Sequence, residues 1–355
     1  MKSNAIEVLT KNKNILWPEI ENYLNLIKDY PEFCQIKSKY QFISDFHFKM
    51  VSDYPQRKGK YLRPTLLMLT AQSLGFDLEK SLPTAAAMQI SEDWLLNHDD
   101  IEDQSLERRG QPALHKIYGS ELAINAGDAL HVLMWQVLSK NYLTLDKNIA
   151  QKIQDEFGLM LTRTILGQTI EIKWTQDNRL DLTEEDVLLI LESKTGYYTI
   201  AGPMRLGAIL AGASDSQLEL IYKFGVLIGR SFQIVDDLLD LTSDFAGQKK
   251  QQGNDIYEGK RTIMLVHLLN NASSSDLSKL KEILSKTRDQ KTPDEINWVI
   301  AKMAEYDSLD YGKTLAKKFI LEAQEIFNND LKFLNKEPFR SELQSIFDFI
   351  LTRDH

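Results

Sequence analysis

Two stretches of this chain place three aspartates at the end of an apolar helical run. The first is AAMQISEDWLLNHDDIEDQSLERRG over 86–110, with Asp99, Asp100 and Asp103. The second is SFQIVDDLLD, with Asp236, Asp237 and Asp240 at the same i, i+1, i+4 spacing. On a helix the first and last of each set share one face. Three carboxylates near a helix C-terminus repel one another and oppose the negative end of the helix dipole. A bound cation would offset both costs. A single such cluster reads equally well as a solvated helix end; the repeat at matched spacing is what argues for a site.

The remaining pattern predicts an all-α protein of about ten or more helices. Helical runs of spaced apolar residues are expected at 64–75, from Pro83 through the first cluster, after Pro112, over 148–173, over 184–211 and over 216–241, with further helices to the C-terminus. Pro64 suits a first helical turn, and 52–62 reads as a basic loop. Thr183 with Asp186 forms an expected capping box. Gly196, Gly202 and Pro203 predict a kink near Lys194-Thr195. Residues 1–45 read as short N-terminal helices broken at Pro18 and Pro31, with no assigned role, and 242–261 as a polar, mobile connection. No strand alternation and no linker is visible, so 1–355 is expected to be a single domain.

Composition narrows the function. With 43% hydrophobic and 26% charged residues over 355 positions, the chain can bury a large core. A net charge of −9 argues against nucleic-acid binding. The lone cysteine, Cys34, excludes an internal disulfide and fits a reducing cytoplasm. No signal peptide and no apolar run long enough to span a bilayer is expected.

Carboxylates without nearby His or Cys select a hard cation, and Mg²⁺ suits a few carboxylates supplemented by water and phosphate oxygens. Lys60, Arg63, Arg108, Arg109, Lys194, Lys250, Lys260 and Arg261 fall in loops or helix ends beside the acidic clusters, as a phosphorylated ligand requires. No phosphate-binding glycine loop is present. A diphosphate head with a hydrocarbon tail among apolar helices fits both features.

In this order and spacing the motifs resemble the trans-prenyl diphosphate synthases, the polyprenyl synthetase family. Gly59-Lys60-Tyr61-Leu62-Arg63-Pro64 resembles the family's Gly-Lys-x-x-Arg-Pro, and Asp99 to Asp103 followed by Arg108-Arg109-Gly110 its first aspartate motif. Gly167-Gln168, Lys194-Thr195, Phe232-Gln233 with Asp236 to Asp240, and Gly259-Lys260 follow in the expected order. The resemblance covers roughly 45–270 and implies an isoprenoid-synthase bundle around a deep central cavity. It implies condensation of isopentenyl diphosphate with an allylic diphosphate, by a homodimer.

By that resemblance both aspartate clusters hold Mg²⁺, about three ions, around the allylic diphosphate, which Arg108, Lys194, Lys250 and Lys260 would bind. Lys60, Arg63 and Arg109 would bind isopentenyl diphosphate, and Gln168 falls in the substrate-binding set. Thr195 and Gln233 would face the allylic cation. Two departures stand out. Glu92 occupies the position, seven before the first Asp, where the family often has His or Gln facing isopentenyl diphosphate. Glu171 stands where many members have Asp.

Trp94 and Leu95 precede Asp99 by five and four residues, where family members often set the floor of the product tube. At ~1.5 Å rise per residue they lie ~6–7.5 Å deeper than Asp99. At ~100° per residue the wheel sets Leu95 about 40° from Asp99 and Trp94 about 140° away, so the wheel favours Leu95 and the resemblance Trp94. A short product is expected, farnesyl or geranylgeranyl, with geranylgeranyl ahead. A class I terpene cyclase, or a non-catalytic subunit of a heteromeric synthase, is the alternative reading. The second aspartate cluster with Lys60 and Arg63 disfavours the first, and retention of all six aspartates the second.

Overall fold

The structure, a computed structural model, describes residues 2–28, 37–242 and 252–351. Lys250 and Cys34 lie outside the described residues, as do Pro31 and residues 243–251 of the expected mobile connection, whose later part instead forms the helix Asn254–Glu258 with Ile256 and Tyr257 buried. Among the described residues the only strands are Glu107–Arg108 and Gln111–Pro112, an antiparallel ribbon pairing Arg108 with Gln111. Everything else that is regular is helical. The chain forms two compact units, one of Met1–Glu156, Pro203–Ser214 and Leu334–Ile346, the other of Phe157–Gly202, Asp215–Phe333 and Phe347–His355. The units alternate along the sequence, which is why no linker is visible in it.

In the first unit, helix Leu62–Ser73 has Leu66 to Leu69 buried throughout, as expected for a segment with few polar residues. Helix Leu78–Glu102 starts earlier than the sequence predicts, because the Asp77 side chain accepts the Glu79 N–H and caps it. Pro83 therefore lies inside this helix. Its missing N–H removes one bond, to the exposed Glu79, close to an end where donors lack partners anyway. Similarly, Pro18 does not break the N-terminal helix, Lys2–Asn25. Pro18 and Asn14, the residue whose carbonyl loses its donor, both sit on the exposed face, where water can replace the bond. Ala5, Val8, Leu16, Ile20 and Leu24 form the buried face of that helix. The expected loop 52–62 contains a helical turn, Asp53–Arg57, before helix Leu62–Ser73 begins.

In the second unit the Thr183–Asp186 capping box forms as expected and starts helix Glu184–Ile190. Instead of a simple kink, Leu191–Ala201 is π-helical, and the α-helix Gly202–Leu210 that follows belongs from Pro203 to the first unit. A π segment widens the turn without ending the helix. Helix Asp215–Thr242 passes beside it. A Cβ on Gly229 would lie 2.2 Å from the Gly196 Cα, so the two backbones meet where neither residue has a side chain. Apolar residues of Ile263–Asn271 and Pro293–Glu305, including Met264, Leu268, Val299 and Met303, pack with Ile234 and Leu238 to form the core under the second aspartate cluster.

Candidate active site

The first aspartate cluster ends helix Leu78–Glu102, and Asp103 is its C-terminal cap, its N–H bonded to the Asp99 carbonyl at 2.8 Å. The three carboxylates differ. Asp99 and Asp103 are partly exposed, whereas Asp100 is fully buried. Asp100 accepts from the Tyr54 hydroxyl at 2.6 Å and from the Arg108 guanidinium. The Tyr54 oxygen in turn accepts the Leu114 N–H at 3.0 Å. Burial and the adjacent Asp100 charge push the Tyr54 phenol well above its ordinary value. Arg108 also lies 3.6 Å from Asp99.

Arg109 is held in the left-handed region at φ 54° by the ribbon turn. It donates to the Tyr54 carbonyl and to Asp93, both at 2.8 Å, and lies 3.6 Å from Glu92. Arg63, in the first turn of its helix, lies 3.3 Å from the other Glu92 oxygen. A Cβ on Gly59 would meet the Arg109 guanidinium at 2.9 Å, so Gly59 leaves room for this arginine. Lys60 is exposed on the adjoining loop. Asp93 is fully buried, which pushes its carboxyl up to about 6 although Arg109 opposes the shift. Trp94, 7% exposed, stacks on His131 of helix Ser120–Leu138 with centroids 4.2 Å apart, while Leu95 is half-buried.

In the second unit, Lys194 and Thr195 project from the π-helical segment. Lys194 pairs with Glu171 at 2.6 Å. The Thr195 hydroxyl donates to Gln233 Oε1 at 3.0 Å, and Gln233 Nε2 donates to Asp237 at 2.8 Å. These residues and Lys260 line one cavity together with the apolar Trp174, Ile190 and Leu191. Gln168 is half-buried on helix Lys147–Gln176. Asp236 is exposed and Asp237 buried. Lys260 lies 2.7 Å from Glu258 and 3.5 Å from Asp255. Arg261, expected among the phosphate-facing cations, also lines this cavity, where it is buried and donates to the Arg179 and Gly259 carbonyls and to Asn178.

Burial, followed by the Asp255 charge, raises the Asp237 carboxyl well above the usual range; burial also raises Asp240 and takes Asp255 up to about 7. Crowded carboxylates of this kind fit a hard divalent cation, whose charge would relieve the repulsion. Among the described residues no three Asp, Glu, His or Cys side chains close a metal cage.

A family model for polyprenyl synthetase matches residues 45–303. The chain belongs to the polyprenyl synthetase family. It is 33% identical to a geranylgeranyl diphosphate synthase of Methanosarcina mazei over 84% of this chain and 86% of the relative. It is 34% identical to that of Sulfolobus acidocaldarius over 80% and 82%. A solved geranylgeranyl pyrophosphate synthetase of Pyrococcus horikoshii shares the fold with a TM-score of 0.82 and 26% identity, covering 98% of this chain and 99% of that one. As a member of the polyprenyl synthetase family the chain is a trans-prenyltransferase with an all-α isoprenoid-synthase fold, and enzymes of this family use Mg²⁺. Among the described residues no helix is long and apolar enough to cross a membrane.

Sequence reasoning missed Tyr54, Asp93 and Asp255. Asp93 had a visible signal, a second carboxylate beside Glu92 within an otherwise apolar helical run. Tyr54 had none, since its role depends on a contact across 46 residues.

Proposed function

We propose that this prenyltransferase, as a single functional domain, condenses isopentenyl diphosphate with an allylic diphosphate to give a short all-trans product, geranylgeranyl diphosphate ahead of farnesyl. The observation that carries the reading is the Thr195–Gln233–Asp237 hydrogen-bond chain beside Lys194 and Lys260 in one cavity. It combines cations for a leaving diphosphate with weak dipoles for an allylic cation.

Asp99, Asp100, Asp103, Asp236, Asp237 and Asp240 are proposed to hold Mg²⁺, and Asp100 also fixes Arg108. About three ions are proposed per site. Bound Mg²⁺ would stabilise the charge that develops on the departing diphosphate. Arg108, Lys194, Lys250 and Lys260 bind that diphosphate and share this task. As the allylic C–O bond breaks, the Thr195 and Gln233 oxygens face the carbon left electron-poor, and the apolar lining excludes water. Arg63, Arg109 and Lys60 hold isopentenyl diphosphate so that its double bond attacks that carbon. A carbon–carbon bond forms and a proton leaves to the released diphosphate.

Trp94, stacked on His131, is proposed as the floor that limits product length, with Leu95 beside it. Leu122, Ile124 and Val132 are 41%, 45% and 57% exposed on helix Ser120–Leu138, which suits the face of a homodimer. A reducing cytoplasm is the proposed compartment. The test is incubation with labelled isopentenyl diphosphate, each allylic primer and Mg²⁺, followed by product chromatography. A C20 prenyl diphosphate supports the reading. A cyclised hydrocarbon would contradict it.

A further inference from the structure

The isopentenyl diphosphate residues include two carboxylates that differ in how firmly they are held. Asp93 accepts from Arg109 at 2.8 Å, a normal charge-assisted hydrogen bond. Glu92 lies 3.6 Å from Arg109 and 3.3 Å from Arg63, beyond the roughly 2.7–2.9 Å of such a bond. Its Oε2 atom is buried without a hydrogen-bond partner, as are Arg109 Nη2, Asp93 Oδ2 and the Tyr61 hydroxyl. Glu92 thus stands between two guanidinium groups at ion-pair distance from each, and Arg109 Nη2 keeps an unused donor. An oxyanion with more oxygens could complete what Glu92 leaves open.

From this geometry we propose that Glu92 is an internal counter-anion of the isopentenyl diphosphate site, facing both Arg63 and Arg109 and opposing the incoming diphosphate. The inference rests on the prenyl-transfer reading and deepens it. Asp93 anchors Arg109 through a hydrogen bond, whereas Glu92 meets it only at ion-pair distance. The arginine pair carries two positive charges and the carboxylate pair two negative ones. The diphosphate therefore meets a pre-ordered but neutralised pair, with Lys60 as the additional cation. Two effects compete: orientation of the arginines favours binding, while like-charge repulsion across a few ångströms opposes it. Repulsion wins, because Asp93 and the Tyr54 carbonyl already orient Arg109 without help from Glu92. Glu92 accordingly sets the affinity for isopentenyl diphosphate lower than a neutral residue would.

The test compares wild type with Glu92→Gln, which keeps the shape and removes the charge, and with Glu92→His. Both substrates are varied in steady state, and direct binding of isopentenyl diphosphate is measured by calorimetry. Removal of the charge is expected to lower the KM and Kd for isopentenyl diphosphate about tenfold, while the KM for the allylic diphosphate moves less than about twofold. A general structural defect would shift both KM values together. An unchanged or raised KM and Kd in two folded variants would overturn the inference, and a rise would make Glu92 a substrate ligand. If wild type formed no prenyl product but binding still tightened in Glu92→Gln, the prenyl-transfer reading would fail and the counter-anion would stand.

Discussion

The Asp240 carboxylate accepts the backbone N–H of Asn254 at 3.2 Å and of Asp255 at 3.0 Å. One side chain of the second aspartate motif thereby caps the short helix Asn254–Glu258, and Gly259 and Lys260 follow directly. Lys291 completes the arrangement at the other end, donating to the Ile256 and Tyr257 carbonyls at 2.8 and 2.9 Å. Burial brings the Lys291 ammonium down to about 8. Asp240 thus links the aspartate cluster mechanically to the lysine that the reading assigns to the diphosphate.

Asp240→Ala should therefore loosen 253–260 as well as remove a proposed metal ligand. Loss of a side-chain cap costs about 1 kcal/mol, so amide exchange at Asn254 and Asp255 should quicken about fivefold. Asp240→Asn keeps an acceptor oxygen and should exchange more slowly than Asp240→Ala. Equal exchange in both variants and wild type would show that the cap has no energetic weight.

Gly229→Ala should disturb the π-helical segment. The added Cβ would fall 2.2 Å from the Gly196 Cα, and backbone cannot yield as a flexible side chain can. A destabilisation of about 1–3 kcal/mol and a marked fall in turnover are expected, measured by thermal unfolding and prenyl transfer. Wild-type values for both would mean that the close approach is not needed to place Lys194 and Thr195.

Replacing Trp94 tests the product floor. Trp94→Ala should lengthen the product distribution at a stability cost of about 3–5 kcal/mol, since a buried ring stacked on His131 is lost. Trp94→Leu keeps more of the packing and guards against unfolding. A folded, active variant with the wild-type product would remove Trp94 from the length assignment.

The buried Asp93 gives a pH dependence of defined sign. Its carboxyl is raised from 3.8 to about 6, so the folded state binds a proton more tightly than the unfolded chain. Its contribution to stability is full below about 4 and is lost as the pH rises through about 6, a change on the order of 2–3 kcal/mol. Between these limits wild type should lose stability relative to Asp93→Asn as the pH rises. Removal of the Arg109 ion pair shifts the variant's absolute stability, so only the slopes are compared. Parallel denaturation curves across this window would contradict the shift.

The helices and the family were legible because period, caps and motif order are local in sequence. The Thr183 box and the helix Asp215–Thr242 are of this kind. Pro18 and Pro83 misled because a proline's cost depends on whether the orphaned carbonyl meets water, which is a matter of exposure. The π-helical turn was visible only as a kink, since Gly196 marks a close approach without specifying which backbone fills it. Arg261 looked like its neighbour Lys260 in sequence, and both line the cavity, yet Arg261 is buried on carbonyls whereas Lys260 pairs with carboxylates. The division into two units was hidden because both are assembled from separated stretches.

The central claim, that both aspartate clusters serve one metal-dependent prenyl transfer, is tested most directly by turnover in Asp99→Ala and Asp236→Ala. Isopentenyl diphosphate and an allylic primer are supplied with Mg²⁺, and wild type is assayed in parallel with excess EDTA. Neither aspartate is a buried packing residue, so circular dichroism should match wild type. Each variant is predicted to lose turnover by at least about a hundredfold, as removal of a group that stabilises developing charge does, and EDTA should abolish it in wild type. Near wild-type turnover in either folded variant, or full activity in EDTA, would contradict the account.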